Sequence, residues 1–489
     1  MTAEQLSAPA PASGFPFSWQ MLRLLAVVFI AVRLALIGIA HPFMDETYYW
    51  MWGQHPALSY FDHPPLIAWT QGLSAAIFGW NKLALRLPVV LTFFADLGLL
   101  YLFARRLGGE LWREWFWLTA LLFATTPIFV LMASVALPDH LMIALLLAAL
   151  YCLEGVLIAH DAGRRDRRML YLGALAFGLA LLAKYYAALF GLGLIVFLIG
   201  SRYRALFRDP HVWLAMALVV LMQAPVLAWN VTHDFASFQF ITGGRMVIRD
   251  PLSFRGLIGY VLGIVAMLSP FLLWASFRFA LVRGGTAGLA RAVFWVSTLT
   301  FLLASFRTNI LVHWNLIAYV AALPFLAGYL RSRIVLIGHL VFGTLMIALV
   351  GVNYSIVPVG VFVGPYADQT SSWSHGWDEV AARVEAAKAG RDVGFVATPS
   401  YETAGPLGFA LHDKDVTSLA QRMDAFDDWF DARAHAGQSA LILGDRWRGL
   451  GDDVRAHFER VDEIDRFEVF RAGRATDEFV LYYATGYRP

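Results

Sequence analysis

The run LRLLAVVFIAVRLALIGIA, residues 22–40, leads directly into HPFMDETYYWMWGQHPALSYFDHPPLIAWTQGL, residues 41–73. A helix needs about 20 predominantly apolar residues to cross a hydrocarbon core, and residues 22–40 supply that with only Arg23 and Arg33 charged. Asp45 and Glu46 follow at once, at a membrane surface where a carboxylate is only partly hydrated and its pKa can be tuned. Tyr48, Tyr49, Trp50 and Trp52 come next, and aromatic residues of this kind favour the headgroup layer. The loop is therefore expected to lie along the membrane surface, with its aromatic residues walling a groove open to lipid.

Outward from this stretch, the composition agrees. Of 489 residues, 59% are hydrophobic and 15% charged, well below the roughly 25% charged fraction of soluble domains. Runs of near-spanning length recur near 22–40, 85–104, 114–133, 138–158, 169–183, 186–200, 211–229, 257–277, 292–306, 313–330 and 334–351. The expectation is an α-helical polytopic membrane protein of about 11 transmembrane helices. Cys152 is the single cysteine, which leaves no intramolecular disulfide and no cysteine-based metal site.

Charge divides the chain. Residues 1–364 hold 24 Lys+Arg against 14 Asp+Glu, and residues 365–489 hold 14 against 22, so a basic part at +10 precedes an acidic part at −8. A membrane domain over 1–364 and a water-facing domain over 365–489 follow. In the second, Val393–Ala397, Ala440–Leu443 and Phe479–Tyr483 read as strands and Trp377–Ala389 as a helix, a small α/β domain. Asp424–Trp429 reads as a solvated helix face. No catalytic role is assigned to this domain.

Arginines cluster in alternate loops, at 105, 106 and 113, at 164, 165, 167 and 168, at 202, 204 and 208, at 278, 283 and 291, and at 331 and 333. The positive-inside rule makes these loops cytoplasmic. Two strongly basic loops flank 169–200, so an even number of crossings separates them and a hairpin turning at Lys184 is expected. The segments 41–84, 134–138, 230–256 and 307–312 then face outward, as does the C-terminal domain. This topology brings Asp45 and Asp139, in Ala136-Leu137-Pro138-Asp139-His140, to one face, where two carboxylates can converge. Lys184, Arg245 and Arg307 are cations on the same side. Carboxylates with cations suit chemistry on a phosphorylated substrate.

These residues resemble the GT-C superfamily of membrane glycosyltransferases, in the bacterial branch related to protein O-mannosyltransferases and to the aminoarabinose transferase that modifies lipid A. The resemblance rests on Asp45-Glu46, on Tyr60-Phe61-Asp62-His63-Pro64-Pro65 with Trp69, on Leu137-Pro138-Asp139, on Ala183-Lys184-Tyr185 and on the 230–245 loop. It implies transfer of a sugar from a polyprenyl-phosphate donor to a lipid, glycan or protein acceptor on the periplasmic face of a bacterial inner membrane, by single displacement with inversion. It further implies that Asp45 is the base or orients the acceptor, that Asp139 is the second acid, and that cations near His63 and at Arg245 hold the phosphate. The aminoarabinose transferases carry Lys where this chain has His63 and Arg where it has Tyr48.

The chemistry alone asks for a base for the incoming hydroxyl and for cations to take the charge of the leaving phosphate. Asp45, Asp139 and Glu46 are the catalytic candidates. Tyr48, Tyr60, Asp62, His63, Lys184, Arg245 and His313 are the substrate-binding candidates. A phosphate ester leaves well without help, and the histidines show no metal-ligand spacing, so neither a metal nor a cofactor is expected. Besides the lipid-linked donor and its acceptor, membrane lipids are the only partners expected, with no nucleic acid. A ligase of lipid-linked oligosaccharides and a transporter or flippase are the rival readings. The transporter would place ionisable groups deep in its helices, often with inverted repeats.

Overall fold

The computed structural model describes residues 14–245, 254–282 and 287–489, without the side chains at 242, 244, 245, 371 and 372. The chain forms two compact units. The first comprises 1–35, 63–66 and 89–347, and the second comprises 36–62, 67–88 and 348–489. Most of the first loop belongs to the same unit as the C-terminal residues.

The structure is mainly helical. Trp19–Ile39, Lys82–Leu107, Pro138–Asp161, Pro210–Thr232 and Arg333–Ser355 are each long and apolar enough to cross a membrane. Two further pairs, Tyr185–Ile199 with Arg202–Arg208 and Phe254–Leu268 with Pro270–Leu281, bend by 104° and 100°, which gives up to seven such helices among the described residues, besides shorter apolar ones such as Gly288–Ala304 and Val312–Leu326. Several expected spans are broken or short. Pro127 opens a new six-residue helix immediately after Trp112–Thr125, since proline cannot donate to the preceding turn. Arg167–Ala183 and Gly288–Ala304 have 17 residues each. The expected break at Lys184 is present: its backbone is extended, with φ −155° and ψ 130°, between Ala183 and a 3-10 turn at Tyr185–Ala187. Phe177 and Phe190, about equally far on either side of it, have ring centroids 5.5 Å apart, as in a helical hairpin.

In the second unit, β1 (Phe395–Thr398), β2 (Thr417–Ser418), β3 (Ala440–Asp445), β4 (Arg460–Arg471) and β5 (Arg474–Thr485) form one sheet in the order β2-β1-β3-β5-β4. β1 runs parallel to β2 and β3, and β5 runs antiparallel to β3 and β4. The small α/β domain is present, with its helix at Trp377–Lys388. The sheet core includes Phe395, Ile442, Val480 and Tyr482.

Two helices of the same unit position the first-loop acids. Met44–Gln54 packs on Leu66–Phe78 where a Cβ on Gly53 would lie 2.6 Å from the Gly72 amide nitrogen, so only glycine permits that approach. Tyr401–Leu411 crosses Met44–Gln54 at Gly405, where a Cβ would lie 2.9 Å from the Tyr48 nitrogen. The aromatic run is consequently interior. Tyr48, Tyr49, Trp50 and Trp52 are all buried, against Tyr401, Phe409 and Phe426 among others. The expected headgroup belt is corrected on this point: residues from the C-terminal half of the chain, and not lipid, cover these rings.

Candidate active site

Asp45 and Glu46 begin the Met44–Gln54 helix, where the unpaired amides of the first turn favour negative charge. Their surroundings differ. Glu46 is fully buried, and its Oε2 accepts from the Phe43 amide at 2.8 Å and from Arg86 Nη2 at 2.6 Å. Arg86, also buried, donates through Nη1 to the Ile37 carbonyl at 3.1 Å. Glu46 therefore holds the helix start in place. Asp45 is only half-buried. It lies close enough to Tyr401 that its charge, with that of Asp62, adds to burial in pushing the Tyr401 phenol up to about 12.

Behind Asp45 a hydrogen-bonded chain continues. The Tyr48 hydroxyl donates to Asp62 Oδ2 at 2.7 Å and accepts from the Ala425 amide at 3.0 Å. Asp62 Oδ1 accepts from Arg422 Nη2 at 2.9 Å. Burial first, then the charges of Asp62 and Asp424, hold the Tyr48 phenol well above its ordinary value. Tyr60 stacks on Trp52 with centroids 4.5 Å apart, and its hydroxyl lies 2.9 Å from the His55 carbonyl. Tyr48, Tyr60 and Asp62 are thus buried groups bonded to one another's neighbourhood, and they form the support of the helix that carries Asp45.

Asp424 corrects a further expectation. The segment after it is a 3-10 turn, Ala425–Asp428, and Asp424 is its buried cap, accepting from the Phe426 amide at 2.9 Å. Burial raises its carboxyl to about 7. Only Asp427 and Asp428 of this acidic run face outward, because Phe426 needs the interior and draws Asp424 in with it.

The first unit holds the remaining candidates. Asp139 sits in the first turn of Pro138–Asp161, and Lys184 Nζ donates to both of its oxygens, at 2.8 and 2.7 Å. Both side chains are buried. Lys184 makes this pair from the extended residue at the break after Ala183. His63 is buried and His313 half-buried in the turn Val312–Asn315. Arg245 ends the short π-helical turn Phe240–Arg245, and its side chain lies outside the described residues.

The structure thus brings together Asp139 with Lys184, Glu46 with Arg86, and Tyr48 with Asp62. Arg86, Tyr401 and Arg422 had no signal in the sequence. Arg86 lies at the start of a spanning helix, and Tyr401 and Arg422 are more than 300 residues from the loop they meet.

Known proteins resemble the chain over part of its length in sequence and over most of it in fold. Residues 62–229 match the family described as dolichyl-phosphate-mannose-protein mannosyltransferase. The lipid A galacturonosyltransferase RgtD of Rhizobium johnstonii is 27% identical over 289 residues, which is 57% of this chain. The chain spans 58% of the length of that relative. Crystal structures of ArnT from Cupriavidus metallidurans, bound to undecaprenyl phosphate and in the apo state, superpose with TM-scores of 0.62 and 0.61 at 17% and 16% identity. These superpositions cover 95% and 94% of this chain and 98% of each ArnT chain.

Proposed function

We propose that this chain is a GT-C membrane glycosyltransferase, aminoarabinose/lipid A transferase-like within that superfamily, and that it transfers a sugar from a polyprenyl-phosphate donor to an acceptor hydroxyl on the outer face of the bacterial inner membrane. The relative's acceptor is lipid A, which makes a lipid the first acceptor to try. The observation that carries the reading is the unequal fate of two adjacent acids. Glu46 is fully buried against Arg86 and the helix cap, and Asp45 is half-buried at the same helix start, close to Tyr401.

In the reaction, Asp45 takes the proton of the acceptor hydroxyl as its oxygen bonds to the anomeric carbon, and the bond from that carbon to the phosphate oxygen breaks with its electrons moving onto phosphate. Single displacement inverts the anomeric centre. Positioned cations stabilise the charge that gathers on the leaving phosphate. Within the first unit, Lys184 is our candidate for binding phosphate, with Asp139 as the counter-ion that holds the ammonium in place. Glu46, Arg86, Tyr48, Asp62 and Arg422 are positioning residues.

Asp45→Asn tests the proposal. It preserves volume and part of the hydrogen bonding, and removes the base. General-base contributions are about 10²- to 10⁴-fold, so transfer from purified undecaprenyl-phosphate monosaccharides to lipid A should fall at least a hundredfold while the protein remains folded and membrane-inserted. Near-normal turnover at matched expression would refute the assignment of Asp45. Parallel assays with oligosaccharide-linked donors separate a monosaccharide transferase from a ligase.

A further inference from the structure

A second feature lies entirely in the first unit. The helices Pro138–Asp161, Arg167–Ala183, Ala188–Ile199 and Pro210–Leu221 line an open-sided cavity of about 210 Å³ whose lining is apolar throughout. Gly173, Ala174, Gly191 and Ala215 are the small residues of its lining, and a Cβ on Gly191 would lie 2.6 Å from the Phe177 ring. Val156, Leu170, Leu206 and Val212 line this cavity and also a second one of about 110 Å³, so the two adjoin.

The second cavity is rimmed by Arg164, Arg165, Arg167 and Arg208, with His160 beside them. The acids at the rim are already engaged. Asp166 Oδ1 accepts from the Met169 amide at 3.0 Å. Asp209 Oδ1 accepts from the His211 amide at 3.0 Å, and its Oδ2 lies 3.5 Å from Arg165. Among the described residues no carboxylate pairs with Arg164, Arg167 or Arg208, and all three are exposed. A guanidinium cluster facing a phosphate makes charge-assisted, often bidentate hydrogen bonds.

We infer that this compound cavity binds an anionic glycerophospholipid of the surrounding bilayer, with its phosphate among Arg164, Arg167 and Arg208 and part of one acyl chain in the apolar chamber. A soluble phosphate would use the arginines and leave the chamber unexplained, and a neutral lipid would fill the chamber and leave the arginines unexplained. The basic loops at 164–168 and 202–208 are inner-face loops by the charge rule, and basic pockets between spanning helices on that side suit acidic headgroups. The reacting phosphate of the donor belongs to the outer face in our functional reading, so the occupant is a bilayer lipid distinct from the donor.

The test is native mass spectrometry of the full chain in detergent with phosphatidylglycerol, phosphatidylcholine or undecaprenyl phosphate added. Wild-type protein should retain phosphatidylglycerol at least about tenfold better than phosphatidylcholine. Arg164→Ala/Arg167→Ala/Arg208→Ala should remove that preference. Arg204→Ala, in the same loop but off the rim, should keep it. Ala174→Leu, which narrows the chamber and leaves the arginines in place, should lower phosphatidylglycerol retention. Equal retention of the two phospholipids by wild type, or a triple variant that behaves as wild type, overturns the inference. Displacement of phosphatidylglycerol by an equimolar amount of undecaprenyl phosphate would overturn the choice of occupant and assign the cavity to the donor's tail.

Discussion

Breaking the Glu46–Arg86 pair tests whether the acid beside the proposed base is a positioning group. The two side chains are 0% and 5% exposed and 2.6 Å apart. Removing one partner of such a pair leaves an uncompensated buried charge and costs about 3–5 kcal/mol. Arg86→Ala does this and also strips the Ile37 carbonyl of its donor. Glu46→Gln is milder, because its amide oxygen can still accept from the Phe43 amide, and the loss is that of a charged hydrogen bond, about 1.5–3 kcal/mol. For a folding unit of 150–250 residues each kcal/mol moves the midpoint by about 2–4 °C, so Arg86→Ala should unfold roughly 6–20 °C early. Glu46→Gln/Arg86→Met removes both charges together and should recover much of the loss. The assay is thermal unfolding of purified protein in detergent, followed by sugar transfer measured well below each midpoint. There, Glu46→Gln should keep turnover within an order of magnitude of wild type, in contrast with Asp45→Asn. A double variant whose loss equals the sum of the single losses, or an Arg86→Ala midpoint within 2 °C of wild type, would refute the reasoning.

Lys184→Met should lower the midpoint, since it strands the buried Asp139 carboxylate, and Lys184→Met/Asp139→Leu should restore stability but not sugar transfer, because exchanging a buried pair for apolar residues is often near neutral. Restored transfer in the double variant would make the pair structural only. Asp424, raised by burial to about 7, binds a proton in the folded state that the unfolded chain has lost, so its contribution to stability is present at low pH and disappears as pH rises from about 4 to about 7. Asp424→Asn, which can still cap the 425–428 turn, should therefore flatten the rise in thermal midpoint between pH 8 and pH 5, and an unchanged slope would count against a buried proton at Asp424. Topology is open to single-cysteine labelling in a Cys152→Ala background with a membrane-impermeant reagent, Ala386→Cys reacting in intact spheroplasts and Ala162→Cys only after lysis. Equal labelling at both positions would overturn the inside–outside assignment.

The membrane class, the acidic C-terminal α/β domain and the break at Lys184 were legible in the sequence, because each rests on a local rule. Hydrophobic runs, charge sign and strand-like patches act over a few to about 20 residues, and they need no knowledge of what packs against them. The strands at 395–398, 440–445 and 474–485 fall where Val393–Ala397, Ala440–Leu443 and Phe479–Tyr483 suggested. The continuity of the apolar helices was less legible, since a proline inside an apolar run, as at Pro127 or Pro270, divides a helix without changing its hydropathy.

Asp45 and Glu46 stand next to each other and look alike as sequence, and both could be named as acids at a membrane surface. That Glu46 is the one buried against a guanidinium was decided by Arg86, 40 residues away, while Asp45 is half-buried. The aromatic run Tyr48–Trp52 has the composition of a headgroup belt, and burial under Tyr401, Phe409 and Phe426 makes it a core. Composition determines how much apolar surface a segment must hide and how many charges it must satisfy. Whether lipid hides that surface or a distant segment does, and which cation meets which acid, depends on contacts between residues far apart in the chain, and only the tertiary structure decides those.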